Sequence, residues 1–281
     1  MSTADQKRLT EQLLALHSGP LLLLPNAWDA LSAKVFEDMG FKAIATTSAG
    51  VAWSLGHMDG EKMPWQEMLS AIERIARAVR VPVTADIEGG FSSTTPKLIE
   101  RTEDVIRAGA CGINLEDGLG HGAPLRSTQE ASERIAAVRS TAEKFGIPLV
   151  INARTDAYLH PPGDANPASL FEVTLARCQA YVAAGADCVY PIGLNDLPQI
   201  TKLVAALKRP VNIMGRRGTP SLAELQAAGI ARVSMAVTPA VFVAGALADS
   251  MTKLVKSGSF DHLTSSFDYA RLQKLFAPAG N

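Results

Sequence analysis

Val81-Pro82-Val83-Thr84-Ala85-Asp86-Ile87-Glu88-Gly89-Gly90 is the stretch whose reading decides the fold. Val81, Val83 and Ala85 are apolar, with β-branched Thr84 between them, so the stretch begins as a buried strand. It ends in two carboxylates at i and i+2, followed by two glycines. Residues two apart on a strand share a face, so Asp86 and Glu88 are expected to aim the same way. Paired carboxylates at the end of an apolar strand repel each other and are costly to desolvate. A divalent cation would remove both costs; a strand that simply runs into a polar turn is the alternative. The rest of the chain decides between them.

Short apolar runs recur from end to end: Leu21–Leu24, Ala43–Thr47, Val81–Ile87, Gly112–Leu115, Leu149–Asn152, Cys188–Ile192, Val211–Met214 and Arg232–Ala236. Amphipathic helical patterns separate them. In Pro64–Val79, for instance, Met68, Leu69, Ile72, Ile75, Ala76 and Val79 line one face. Ser127-Thr128-Gln129-Glu130 is a capping-box pattern that starts another helix. Helices end in a glycine just before the next run, at Gly40, Gly109, Gly146, Gly185 and Gly229. Repeated helix–Gly–strand units mean parallel strands joined by crossover helices. Eight of them predict an α/β fold, a closed (β/α)₈ TIM barrel. An open doubly wound sheet is the alternative, but no Gly-x-Gly-x-x-Gly follows the first strand. The whole chain, 1–281, reads as one barrel domain. Residues 238–281 are surplus to it and predict two C-terminal helices, Pro239–Val255 and Phe260–Phe276, for packing or subunit exchange.

Composition excludes several classes. The 281 residues are 47% hydrophobic and 20% charged, with net charge −1, so nothing draws the chain to nucleic acid or an anionic membrane. Cys111, Cys178 and Cys188 are odd in number and set in apolar surroundings, which predicts buried thiols in a reducing compartment. Leu21–Leu24 is too short to span a bilayer, and the first residues carry no signal-peptide core. A cytoplasmic protein is expected.

Chemistry in such a barrel collects where strands end. Those positions supply Asn26, Trp28 and Asp29; Thr46 to Gly50, then Asp59; Asp86 and Glu88; Asn114, Glu116 and Asp117; Asn152, Arg154 and Asp156; Tyr190; Asn212; and Ser234. Taken singly, Asp29, Asp117 and Asp156 read as caps or solvated rim. Hard oxygen donors with no His or Cys cluster favour Mg²⁺ or Mn²⁺ over Zn²⁺. Arg154 can grip a carboxylate or stabilise a developing oxyanion. Ser48-Ala49-Gly50 offers a hydroxyl and approachable backbone N–H groups. No lysine lies near a strand end, which argues against Schiff-base chemistry.

Pro25-Asn26-Ala27-Trp28-Asp29, Thr47-Ser48-Ala49-Gly50-Val51-Ala52, Asp86-Ile87-Glu88-Gly89-Gly90-Phe91, Asn114-Leu115-Glu116-Asp117 and Asn152-Ala153-Arg154-Thr155-Asp156-Ala157 together resemble the isocitrate lyase/phosphoenolpyruvate mutase superfamily. The resemblance runs from about Leu22 to Ala236. It implies a Mg²⁺-dependent barrel that cleaves or forms C–C or P–C bonds beside the carbonyl of a small 2-oxo acid, through an enolate. It implies Asp86 as metal ligand, with Asp59, Glu88 and Glu116 holding the metal's waters. Ser48, Ala49 and Gly50 would bind the substrate carboxylate, Arg154 substrate oxygens, and Asn212 would line the pocket. It further implies tetramers, or dimers, that exchange the last barrel helix.

The loop after Glu116 departs from the pattern. Lyases of the superfamily carry a Lys-Cys-Gly-His-like motif there, whereas this chain has Gly118-Leu119-Gly120-His121-Gly122-Ala123-Pro124-Leu125, without a cysteine. Thr46 stands where methylisocitrate lyases have tyrosine. His121 is the loop's titratable group and the candidate proton donor, joining Arg154 and Glu116 as catalytic candidates. The expected activity is that of a carbon–carbon lyase, by oxaloacetate-type decarboxylation or retro-aldol cleavage of a substituted malate. A P–C bond enzyme (phosphonopyruvate hydrolase or mutase) and a non-catalytic 2-oxo acid binder are the rivals.

Overall fold

The computed structural model describes residues 2–120, 123–161 and 166–277. Its strands are β1 (Leu22–Leu24), β2 (Asn26–Ala27), β3 (Ile44–Thr46), β4 (Val83–Asp86), β5 (Gly112–Glu116), β6 (Val150–Thr155), β7 (Cys188–Pro191), β8 (Asn212–Met214) and β9 (Arg232–Ser234). Every pairing between them is parallel. The first predicted run, Leu21–Leu24, is β1, and a second short strand, β2, follows it beyond Pro25. Pro25 has no N–H to continue a ladder, and the chain changes partner there. β1 pairs with β9, while β2 pairs with β3. Asn26 spans the seam: its Nδ2 donates to Thr46 O at 2.7 Å and its Oδ1 accepts from Met235 N at 2.8 Å. The other seam closes through a parallel bridge between Val189 and Val211. With β1 and β2 as one interrupted staves' width, the sheet is the expected closed eight-stranded barrel.

The helices are α1 (Thr3–Leu16), α2 (Ala30–Asp38), α3 (Ser48–Ser54), α4 (Trp65–Ala78), α5 (Thr95–Arg107), α6 (Thr128–Lys144), α7 (Pro167–Ala183), α8 (Leu197–Leu207), α9 (Leu222–Ala227), α10 (Thr238–Ser257) and α11 (Tyr269–Phe276). In α4, Trp65, Met68, Ile72, Ile75 and Ala76 are buried, while Leu69 is half-buried. Outward-facing Val83, Ala85, Ile113, Ile151 and Val189 share that core. All five glycines expected to close helices adopt positive φ, from 66° at Gly146 to 105° at Gly185, as a left-handed helix terminus requires. Ser127 caps α6 by accepting from Glu130 N, whereas Glu130 turns to Arg126 rather than completing the box.

α1 closes the bottom of the barrel. Leu9 and Leu13 pack with Leu22, Leu24, Cys111 and Val150, and Gln6 Nε2 donates to Ile106 O and Ala110 O. His17, at the end of α1, is buried with Nδ1 2.8 Å from Leu13 O.

The C-terminal region differs from expectation in one respect. Phe260–Phe276 is not one helix: α11 begins at Tyr269. Ser257, Ser259 and Ser265 hydroxyls take the N–H groups of Ser259, Asp261 and Phe267, and Asp268 caps Arg271 N. These local bonds compete with helix formation until Asp268 supplies a start. α10 has no buried residue, and Val241, Phe242, Leu247 and Val255 on it are exposed. Among the described residues, no helix is long and apolar enough to cross a membrane.

Candidate active site

Asp86 is the last residue of β4 and is 8% exposed. Its backbone N–H donates to Thr46 Oγ1 at 2.8 Å, which fixes the strand end against β3. One carboxylate oxygen, Oδ2, accepts from Ser48 N at 3.1 Å and from Ser48 Oγ at 2.9 Å. The other, Oδ1, is buried without a hydrogen-bond partner. Ser48 opens α3, and Thr47 caps it by accepting from Gly50 N at 3.4 Å. The turn is tight: a Cβ on Gly50 would lie 2.6 Å from Thr47 Cγ2 and 2.9 Å from Trp28 Cβ. In this arrangement both Ser48 donors serve Asp86 rather than standing free for a substrate carboxylate.

Glu88 is brought near Asp86 by a route other than the expected strand. β4 ends at Asp86, and Glu88 lies beyond it in the left-handed region, with φ 52°. Gly90 and Phe91 also have positive φ, and Gly90 N closes the turn onto Ile87 O at 2.8 Å. Such backbone costs on the order of 1–3 kcal/mol per non-glycine residue and persists only where the surroundings hold it. Here Arg134, itself buried, grips Gly89 O and Ser92 O. Burial, then the charges of Asp59, Asp86, Glu116 and Glu61, push the Glu88 carboxyl up to about 9.

Glu116, Arg154 and Tyr190 stand side by side on β5, β6 and β7. Arg154 Nη1 meets Glu116 Oε2 at 2.8 Å, and its Nε and Nη2 grip both oxygens of Asp156, at 2.6 and 2.9 Å. Asp156 is in turn set by Asp117, whose Oδ1 accepts Asp156 N at 2.9 Å while Oδ2 accepts from Arg177 and Tyr181. Asp29 caps α2 with Ser32. The three aspartates read singly as structural therefore do structural work. Burial raises the Glu116 carboxyl, with Arg154 opposing it.

Asn212 is wholly buried; its Nδ2 donates to Ser234 Oγ at 2.9 Å and its Oδ1 has no partner. Asp59 lies on the loop after α3, close enough for its charge to act on Glu88. Gly118–Leu125 folds back on itself through a bridge between those two residues, and Leu119 N donates to Pro124 O at 3.3 Å. Beneath it, a cavity of about 50 Å³ is lined by Glu88, Glu116, Gly118, Leu119 and Arg126 among others. His121, the expected proton donor, lies outside the described residues.

Among the described residues, no three His, Cys, Asp or Glu side chains converge as a ready-made metal cage. The carboxylates gather, and Asp86 combines an orientation fixed by Ser48 with a buried oxygen that has no hydrogen-bond partner. Two features escaped sequence reasoning. Thr46 matters as the acceptor that aligns Asp86. Arg232, expected as part of an apolar run, is fully buried inside the barrel with Nη2 3.2 Å from Asn114 Oδ1; an arginine opening an otherwise core strand was the available signal.

Residues 13–255 match the phosphoenolpyruvate phosphomutase family. The chain is 32% identical to an uncharacterised protein of Mycobacterium tuberculosis over 92% of each. It is 30% identical to the 2,3-dimethylmalate lyase of Eubacterium barkeri, covering 90% of this chain and 86% of that one. A solved structure from Burkholderia cenocepacia, provisionally named a phosphonomutase, is 40% identical over 90% of this chain and 100% of its own, with TM-score 0.83. The motifs at the strand ends, the closed barrel and these matches agree: the chain belongs to the phosphoenolpyruvate phosphomutase family, in the isocitrate lyase/phosphoenolpyruvate mutase superfamily of enzymes.

Proposed function

We propose that this enzyme is a Mg²⁺- or Mn²⁺-dependent lyase that breaks a C–C bond beside the carbonyl of a small 2-oxo acid or dicarboxylate. Oxaloacetate-type decarboxylation and retro-aldol cleavage of a substituted malate fit best. The observation that carries the reading is Asp86, with one oxygen fixed by Ser48 and the other buried and unspent beside Glu88, Glu116 and Arg154. A buried carboxylate oxygen without a partner is costly, and a hard cation is the group that fits a crowd of acids. Asp86 would hold it directly, and Asp59, Glu88 and Glu116 would hold its waters. When bound, the cation supplies charge stabilisation for the substrate's oxo oxygen.

The chain's own residues do the rest. Asp156 and Glu116 use three of the guanidinium's five N–H groups and leave the remainder of Arg154 for substrate oxygens. Arg154 thereby opposes the negative charge that develops as the bond breaks. With Ser48 given over to Asp86, Ala49 and Gly50 of the turn would meet the substrate carboxylate, and Asn212, whose Oδ1 is buried without a partner, would line the pocket. The named lyase relative, a 2,3-dimethylmalate lyase, supports the C–C reading.

A mass-spectrometric panel of oxaloacetate, 2-methylisocitrate, 2,3-dimethylmalate and phosphonopyruvate with Mg²⁺ tests it. Pyruvate or another 2-oxo acid from a C–C substrate is the expected result. Turnover of phosphonopyruvate alone would make this a P–C bond enzyme. Mg²⁺-dependent oxalate binding without any product would make it a binder.

A further inference from the structure

Tyr190 is paired with Arg154 across β7 and β6, and Arg154 with Glu116 across β6 and β5. Paired residues of parallel strands share a face, so the phenol belongs to the same inner wall as the proposed site. Tyr190 is 2% exposed, and its hydroxyl is buried with no hydrogen-bond partner of full geometry. A buried tyrosine hydroxyl ordinarily has a partner. The neighbouring Ser234 hydroxyl, which accepts from Asn212, is close enough to act on the phenol as well. Arg154 and Asp86 both act on the phenol electrostatically. The Tyr190 O–H and Asp86 Oδ1 are each buried without a hydrogen bond of full geometry, and the Asp86 charge reaches the phenol.

A phenol is protonated at neutral pH and can donate to an oxygen placed before it. We propose that the Tyr190 hydroxyl contacts the substrate and delivers the proton that completes the reaction. This rests on the lyase reading above. For oxaloacetate, the C3–C4 bond breaks and CO₂ leaves. Its electron pair forms the C2–C3 double bond of the enolate. That pair then returns to make a C3–H bond with the Tyr190 proton, and the phenolate takes a proton from water.

Delivery from a fixed phenol must label one face of C3. The test is Tyr190→Phe with 3-methyloxaloacetate and Mg²⁺ in D₂O, the product being trapped by reduction to its 2-hydroxy acid. Wild type is expected to place deuterium on a single face. The variant is expected to release CO₂ within about tenfold of wild type while its label becomes racemic. Single-face labelling by the variant, or racemic labelling by wild type, overturns the proposal. If wild type releases no CO₂, the decarboxylase form of the lyase reading fails, and oxalate calorimetry with Mg²⁺ reads the hydroxyl by itself. At least about tenfold weaker oxalate binding by the phenylalanine variant, matching one lost hydrogen bond, sustains the contact. Unchanged oxalate affinity overturns it.

Discussion

Ser48 gives both its backbone N–H and its hydroxyl to one oxygen of Asp86, at 3.1 and 2.9 Å. These two hydrogen bonds to a single oxygen aim the carboxylate and leave its second oxygen buried without a partner. Ser48→Ala removes one charge-assisted hydrogen bond, worth about 1.5–3 kcal/mol. We expect kcat/KM to fall about 10- to 100-fold, with the melting temperature nearly unchanged. Steady-state kinetics beside a thermal melt checks this.

Arg154 depends on its fork. Glu116 and Asp156 hold three of its N–H groups at once. Lysine carries the charge but cannot reproduce the planar geometry. Arg154→Lys is therefore expected to lose at least about 100-fold in kcat/KM, most of it in kcat, because the interaction grows with the developing charge. A loss confined to KM would contradict that role.

Glu88 gives the site a pH signature. Its carboxyl is pushed up to about 9 from an ordinary 4.5, by burial first and neighbouring acids second. The folded chain therefore keeps a proton that the unfolded chain has lost. Glu88 costs stability as pH rises above 4.5, increasingly until about 9. Without divalent cation, Glu88→Gln should raise the melting temperature more at pH 8 than at pH 5. Mg²⁺ affinity of the wild type should climb with pH over the same interval, since the cation and the proton compete. Parallel melting curves for the two proteins across pH would contradict the assignment.

His17 carries the opposite dependence at the other end of the barrel. Burial, then the charge of Arg232, lowers it to about 4 from 6.5. The unfolded chain binds a proton that the folded chain refuses, so stability is lost as pH falls from 6.5 toward 4. The loss is on the order of 3 kcal/mol at most, at 1.36 kcal/mol per unit. His17→Gln should flatten this part of the stability curve in urea titrations at pH 4.5 and 7.

The exposed apolar residues of α10 make a prediction about assembly. Phe242 is 74% and Val255 85% exposed on a helix with no buried position. We expect a second copy to cover them. Phe242→Glu should reduce the mass measured by light scattering; a wild-type monomer would contradict this.

Much of the barrel was legible because its signals are local. Five helix-ending glycines announced five reversals, and each has the positive φ that glycine permits. The carboxylates could be placed near one another because each ended its own apolar run. What stayed hidden depended on contacts between distant segments. Pro25 divides the first strand because two different neighbours compete for its flanks. Glu88 reaches Asp86 through a left-handed turn that alternation along a strand does not encode. Thr46, read as a strand-end residue standing where methylisocitrate lyases have tyrosine, turned out to orient Asp86 from 40 residues away. The helix expected over Phe260–Phe276 was lost to serine hydroxyls that bond their own backbone. Apolar spacing was correct there, and capping chemistry overruled it.

Counting free Mn²⁺ by electron spin resonance, in the presence of oxalate, tests most directly whether Asp86 anchors a cation at this barrel mouth. The wild type should bind one Mn²⁺ per chain, tightened by oxalate, and Asp86→Ala should bind at least about 100-fold more weakly. Equal Mn²⁺ binding by Asp86→Ala and wild type would contradict the account.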